Sequence, residues 1–448
     1  MRSRRGQGTG RARGFVVLAT AAFLLVAGCT GTGSGGVPTP TPPSQTPDRC
    51  AEAVSAIVEA TQDYVVGFGP VDQDQVPPPA SPSPGASATS SPTPSASATS
   101  AENVAFQDAL TTARTQLAQY GCEVARTRQA LESGLRAVTT QGPVAGAVLR
   151  QLTATMTGTG ETLPTTRRVG TDDDLLTAVA ELPAGSTIEL AAGTHRLDDV
   201  LVLLSPITIR GAGTDTTVLE SSVPDFAVLA IADGAVSVAD LSLRHTGKQP
   251  ASVVLVGPTA SLVVTDSALS GGVANRDGTG GAGILMYDPD ARARRTTTSL
   301  EVTGTRFSGN GSAGVVLTGG HVASIAGSTF VKNAQCGVCF LDASGGSVQD
   351  STFTDNTVGV AATATAAPTV VGSTIRGGEV GIQAGDRSTP VIDRVKVSGA
   401  SRAALIWAGR AEGAIRGVTC SDVTFGLVVG PDVAPTVRDS TCAIAPSG

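Results

Sequence analysis

Between residues 307 and 442 the same kind of side chain returns every 22 or 23 positions. Phe307, Phe330, Phe353 and Ile375 form one column, which Val397, Cys420 and Cys442 continue. A second column holds Gly314, Gly337, Gly359, Gly381 and Gly426, with Ala403 standing in once; Val315, Val338, Val360, Ile382, Ala404 and Leu427 follow it. A repeat of this length marks a solenoid, because each unit alone leaves one apolar face uncovered and only stacking on a neighbour buries it. Within a unit the apolar runs are three to five residues long, β-branched, and separated by Gly, Asp and Asn, which suits two or three short strands and no helix. The solenoid that fits is a right-handed parallel β-helix whose coils stack at about 4.8 Å.

Other columns take structural roles under this reading. Asn310, Asn333 and Asn356 share a register and suit a stacked amide ladder. Asp240, Asp266, Asp350 and Asp439 share a column with Gly304, Gly327, Gly372 and Gly417, the composition of a turn. The glycines of the second column are expected where the backbone bends sharply. Two G-x-G-x-x-G matches, Gly309 to Gly314 and Gly278 to Gly283, each run into a short apolar strand, whereas a phosphate site needs a helix there. No nucleotide is expected. A net charge of -7 gives no basic footprint, so nucleic acid is not an expected partner either.

The rest of the 448-residue chain has a different texture. Arginines precede the apolar run "FVVLATAAFLLVAG", which is short for a bilayer span of roughly 20 residues, and "LVAGC" follows. Those five residues resemble the lipobox of bacterial lipoproteins, which implies a cleaved leader over 1–28, a lipid on Cys29, and the extracytoplasmic face of the cell membrane as location. A Gly/Pro/Thr tether over 29–48 comes next, then a small helical bundle over 49–160 interrupted by a Pro/Ser/Ala-rich disordered insertion at 70–100. Val54, Ile57, Val58 and Val65 have helical spacing, as does one longer segment from Phe106 to Val138; "PVAGAVLRQLTATM" would make a third helix.

With Cys29 set aside, six cysteines remain in an exported chain. Cys50 and Cys122 fall at similar heights on two antiparallel helices and suit a disulfide. Cys420 and Cys442 occupy one inward column, as a bridge or as stacked thiols. Cys336 and Cys339 form C-x-x-C with no helix to open and no second pair for zinc, which points to a local disulfide or plain packing.

The segment "GSTIELAAGTHRLDD", followed by "PITIRGAGTDTTVL", resembles the first coils of pectin-lyase-like β-helix proteins. The resemblance covers 171–448 and implies about 11 coils; "TDDDLLTAVAEL", within 172–182, reads as a helix capping the open end. It also directs attention to the coils that break the period. Leu269 to Gly283 spans seven residues more than Phe307 to Gly314, and "YDPDARARRTTT" makes a second excursion. Candidate catalytic residues there are Asp277, Asp288, Arg276 and Arg292, with Arg244, His245, Lys248, Tyr287 and Asp290 as ligand contacts, and Arg294 nearby. Paired carboxylates would suit a glycoside hydrolase. A carboxylate-bound Ca²⁺ with a cationic base would suit a polysaccharide lyase; no other metal or cofactor is implied. The G-H-G, N-T-D and R-I-K motifs of polygalacturonases are missing, as is the R-x-P-x-x-R of pectate lyases, so whether the chain is an enzyme stays open. Leu405, Trp407 and Val428 are expected to point outward, either as a patch covered by the helical domain or with Trp407 as a stacking surface for a sugar. Together these features favour binding or processing of an extended polysaccharide. The alternative is a non-catalytic structural or protein-docking module of the cell envelope.

Overall fold

The computed structural model describes residues 47–67, 100–158, 160–223, 227–287, 298–431 and 433–446. The expected leader, Cys29, the bulk of the expected tether and nearly all of the Pro/Ser/Ala-rich segment lie outside them. From Thr166 onward the described chain is a parallel β-helix, three sheets of 12, 10 and 11 strands that we call A, B and C. Each coil visits A, then B, then C; ten coils carry all three strands and an eleventh carries A and C only. Sheet A begins with Thr166–Val169, which pairs with Ser186–Leu190 of the first coil.

The aromatic column stacks as its period requires. Phe307 faces Phe330 and Phe330 faces Phe353, and Ile375, Val397 and Cys420 continue in register. The rings are nearly parallel, with centroids 4.9 and 4.7 Å apart, and all three are buried. The column also extends backward through Leu269, Leu243 and Leu219 to His195. Each such burial contributes roughly 1.5 to 3 kcal/mol.

The glycine column has a different cause from the expected bend. Gly314 and Gly337 have no left-handed torsion; a Cβ at Gly337 would lie 2.4 Å from Cδ1 of Phe353, and one at Gly314 would lie 2.5 Å from Cδ1 of Phe330. The ring of the following coil takes the space a side chain would fill. Left-handed residues sit instead at all three corners, including Asp240 (φ 58°) and Gly304 (φ 60°) between A and B, Asp355 (φ 53°) between B and C, and Asp342 (φ 55°) between C and A. Asp and Gly tolerate this region better than other residues.

The asparagine ladder forms between B and C. Asn310 Nδ2 donates to Asn333 Oδ1 and Asn333 Nδ2 to Asn356 Oδ1, each at 2.9 Å. A parallel hydroxyl ladder runs beside the A–B corner, where Ser328, Ser351 and Ser373 accept from the main-chain N–H of Thr305, Ser328 and Ser351.

Four helices precede the solenoid: α1 (Pro47–Val66), α2 (Ser100–Gln119), α3 (Val124–Leu135) and α4 (Pro143–Thr157). The single long segment expected from Phe106 to Val138 is therefore two helices. Gly121 turns left-handed (φ 62°), the Cys122 N–H closes on Leu117 O, and the Glu123 carboxylate caps α3 through the N–H groups of Ala125 and Arg126. Cys50 and Cys122 are bonded, which ties the start of α1 to this break. Tyr64 stacks on Phe106 at 4.3 Å. The bundle core continues into Val200, Val202, Ala227 and Ala230, so the helices pack on the outer face of sheet C at the first two coils. A short helix α5 (Leu175–Ala180), capped by Asp174, places Leu175 and Ala178 on the end of the solenoid core.

Candidate functional site

The structure distributes the candidate residues over separate corners of the solenoid. Arg244, His245, Lys248, Arg276 and Asp277 lie on sheet B or at its corner with C, in coils 3 and 4. Tyr287 lies at the C–A corner, beyond the strand Ile284–Met286. Asp288, Asp290, Arg292 and Arg294 lie outside the described residues.

Each described member of the set has a local partner or stands alone. Arg244 Nη2 donates to Oε2 of Glu220, and Arg196 Nε donates to Oε1 at 3.1 Å, so one carboxylate on coil 2 is held between guanidinium groups on coils 1 and 3. The hydrogen bond from Arg244, helped by the charge of Arg196, holds the Glu220 carboxyl below its usual range. His245 is buried, its ring Nε2 is 3.2 Å from Gln249 O, and burial lowers its pKa. As a neutral donor to that carbonyl it closes the corner. Lys248 and Arg276 are exposed.

The seven-residue insertion folds as a small hairpin. Val273 bridges Ala251, and Ala274 bridges Gly280. At its tip Asp277 accepts from Thr279 N at 3.0 Å and Thr279 Oγ1 at 2.7 Å, bonds that keep its carboxyl ionised to lower pH than usual. That is a turn-forming carboxylate, shifted in the direction opposite to what a general acid requires. Gln335 Nε2 donates to Gly278 O at 3.0 Å, and Gly311 N to Gly272 O, so the hairpin leans over coils 5 and 6. Gln335 falls in none of the repeated columns and was not singled out by the sequence. Among the described residues no group of three His, Cys, Asp or Glu side chains is placed to hold a metal ion.

Trp407 and Leu405 are inside the solenoid, not on its surface. Both are fully buried in the main core, and Trp407 Nε1 donates to Glu412 O. The cause is a one-residue slip in aligning coil 9: Ile382 pairs with Leu405, so Ala404 takes the glycine position and Leu405 the apolar one. A slip of one exchanges the two faces of a strand. Ile406 and Val428 form the outward pair and are half-buried.

The cysteines complete the frame. Cys420 and Cys442 are bonded across the last coils with Cα atoms 5.1 Å apart. Cys336 and Cys339 are bonded on the outer side of sheet C, in an apolar cluster with Leu285, Val316 and Leu341. That outer face is apolar and buried at Val202, Leu285, Val316 and Cys339.

Sheets A and B present the opposite character. On B, Thr329, Thr352 and Thr374 stand in register, with Ser308 and Thr354 in the neighbouring row. On A, Ser324, Ser347 and Thr369 do the same. All of these side chains are half-buried or exposed.

Residues 282–441 match the family model described as "Right handed beta helix region". Among curated proteins none matches the chain. Among solved structures the chain is similar to the Agl-KA catalytic domain (14% identity, TM-score 0.35), with 56% of this chain and 63% of that one covered, so it spans less than two thirds of that domain. It is also similar to the catalytic domain of a GH87 alpha-1,3-glucanase in complex with tetrasaccharides (11%, TM-score 0.39, 63% and 70% covered). A periplasmic alginate epimerase is a third (12%, TM-score 0.38, 67% and 88% covered). The parallel β-helix rests on the strand register above, and the chain is a mainly-β solenoid of about 11 coils with a few helices before it.

Proposed function

We propose that this protein binds an extended polysaccharide along the outer faces of sheets A and B, held at the outer surface of a membrane by a lipid on Cys29. The observation that carries the reading is the pair of hydroxyl rows, Thr329–Thr352–Thr374 on B and Ser324–Ser347–Thr369 on A. Short hydroxyl side chains donate and accept at once, repeat at the strand spacing of about 4.8 Å, and lose little entropy on binding. A polymer of hydroxylated rings laid along the solenoid meets a matching partner at each of coils 6 to 8. The apolar outer face of sheet C offers no such row. No bond-cleaving step is assigned, because the Asp277 carboxylate is occupied by its own turn.

The test replaces Thr329, Thr352 and Thr374 together with valine, which keeps shape and strand preference and removes three hydroxyls. With each hydrogen bond contributing about 0.5 to 1.5 kcal/mol, affinity for the polysaccharide found on a glycan array falls tenfold or more. Unchanged affinity removes sheet B as the binding face. Binding of no glycan by the full chain removes the reading altogether. For the anchor, a Cys29→Ser chain that stays in the membrane fraction would count against lipidation.

A further inference from the structure

Charge is balanced rung by rung at one end of the solenoid and left unbalanced at the other. In the first coils every outward arginine on A and B has a carboxylate beside it: Arg168 reaches Glu189, Arg196 and Arg244 reach Glu220, and Arg210 reaches Asp240. On coils 8 to 11 the same two faces carry Arg376, Lys396, Arg416 and Arg438, all exposed, and none has a carboxylate within ion-pair distance among the described residues. Asp393, in register with Arg416, is already bonded to Arg394.

Arg416 and Arg438 are moreover direct register partners on adjacent strands. Like charges placed opposite each other across two strands oppose pairing. Elsewhere in the same outward column stand Thr265, Thr303 and Gln349, which carry no such cost. Around this A–B corner four cations (Arg394, Lys396, Arg416, Arg438) face two carboxylates (Asp393, Asp439), in a chain whose net charge is -7.

We infer that the A–B corner of coils 9 to 11 binds a carboxylate-bearing acidic polysaccharide. This rests on the polysaccharide reading and names the charge class. Guanidinium groups recognise carboxylates through two parallel N–H donors. Neighbouring strands set the cationic rungs about 4.8 Å apart, which suits an extended glycan with charges spaced along it. Duplex DNA, with one charge per about 1.7 Å, is far denser than the rungs, and a single strand would need aromatic platforms that this corner lacks. The corner begins one rung beyond the hydroxyl rows of coils 6 to 8, where Lys396 is the register partner of Thr374, so one chain could run from one to the other.

The experiment measures binding of the full chain to alginate, neutral dextran and duplex DNA over a salt series, for the unaltered protein, the double variant Arg416→Gln/Arg438→Gln, and Arg128→Gln as an exposed cation on α3 of the helical bundle, away from sheets A and B. Trp407 fluorescence confirms that each variant is folded. The inference expects alginate to bind, the double variant to lose about tenfold at low salt with a salt slope shallower by about 1 to 2, and Arg128→Gln to change neither. It is overturned if the double variant binds alginate as the unaltered chain does, if Arg128→Gln loses as much, or if DNA binds as tightly as alginate. Dextran binding without alginate binding sinks this inference and leaves the hydroxyl-face reading standing; binding of no glycan at all sinks both.

Discussion

Asn333 is the middle rung of the amide ladder, and removing its side chain should cost more than removing a rung at the end. Its Oδ1 accepts from Asn310 Nδ2 at 2.9 Å and Asn310 N at 3.3 Å, while its Nδ2 donates to Asn356 Oδ1 and Phe307 O. Asn333→Ala leaves two buried donors on Asn310 without that acceptor, at about 1 to 3 kcal/mol each, or about 2 to 6 kcal/mol together. Asn310→Ala orphans one donor, the N–H of Gly272, and should cost about half as much. In the double variant the Asn310 amide is gone, so two donors are orphaned where the single changes summed would give three. The double cost should fall short of the sum by about 1 to 3 kcal/mol. Denaturant unfolding followed by fluorescence reads this cleanly, because Trp407 is the one tryptophan and is buried in coil 9 of the solenoid, away from the helical bundle. Costs that add to within about 0.5 kcal/mol, the behaviour of independent sites, would refute a coupled ladder.

Two further perturbations probe the packing and the charge state of the interior. Gly337→Ala puts a Cβ 2.4 Å from the Phe353 ring and should destabilise by about 1 to 3 kcal/mol; Gly309→Ala, with open space around it but φ 62°, should cost only about 1 to 2, and a reversed order of their denaturation midpoints would contradict the aromatic account of the column. His321 is fully buried beside Thr298 Oγ1 at 2.6 Å, and burial lowers its pKa from 6.5 to about 4. The unfolded chain therefore takes up this proton first: stability is full above about pH 6.5 and declines as pH falls toward 4, by up to about 3 kcal/mol. His321→Gln should flatten that stretch of the stability–pH curve, and an unaltered slope would show that His321 is not its source.

The solenoid was legible because its core is redundant. Phe307, Phe330 and Phe353 repeat one decision three times, so one misread coil leaves the architecture intact. The same redundancy concealed the error at coil 9, where the spacing from Ile382 to Leu405 is 23 and the neighbouring spacing from Val360 to Ile382 is 22. Taking 22 for both places a plausible alanine in each column and turns Trp407 outward. The size of Trp407 and its distance from any polar run were the signals against that choice. The helix break at Gly121 was visible in the same way, since Gly121 and Glu123 together form a stop and a start.

The outer faces resisted reading for a physical reason. Inward positions are constrained by neighbours on both sides, so they repeat; outward positions meet solvent, so Arg244, Ser270, Ser308 and Val331 can follow one another in one column without conflict. An unusual loop such as 271–283 therefore drew the eye, although its Asp277 serves its own turn. What distinguishes one outward stretch from another is whether its charges find partners on the next coil, and that depends on the register between coils. Arg210 and Arg416 look alike as sequence, yet one pairs with Asp240 on the next coil and the other has Arg438 as its register partner, setting two cations side by side.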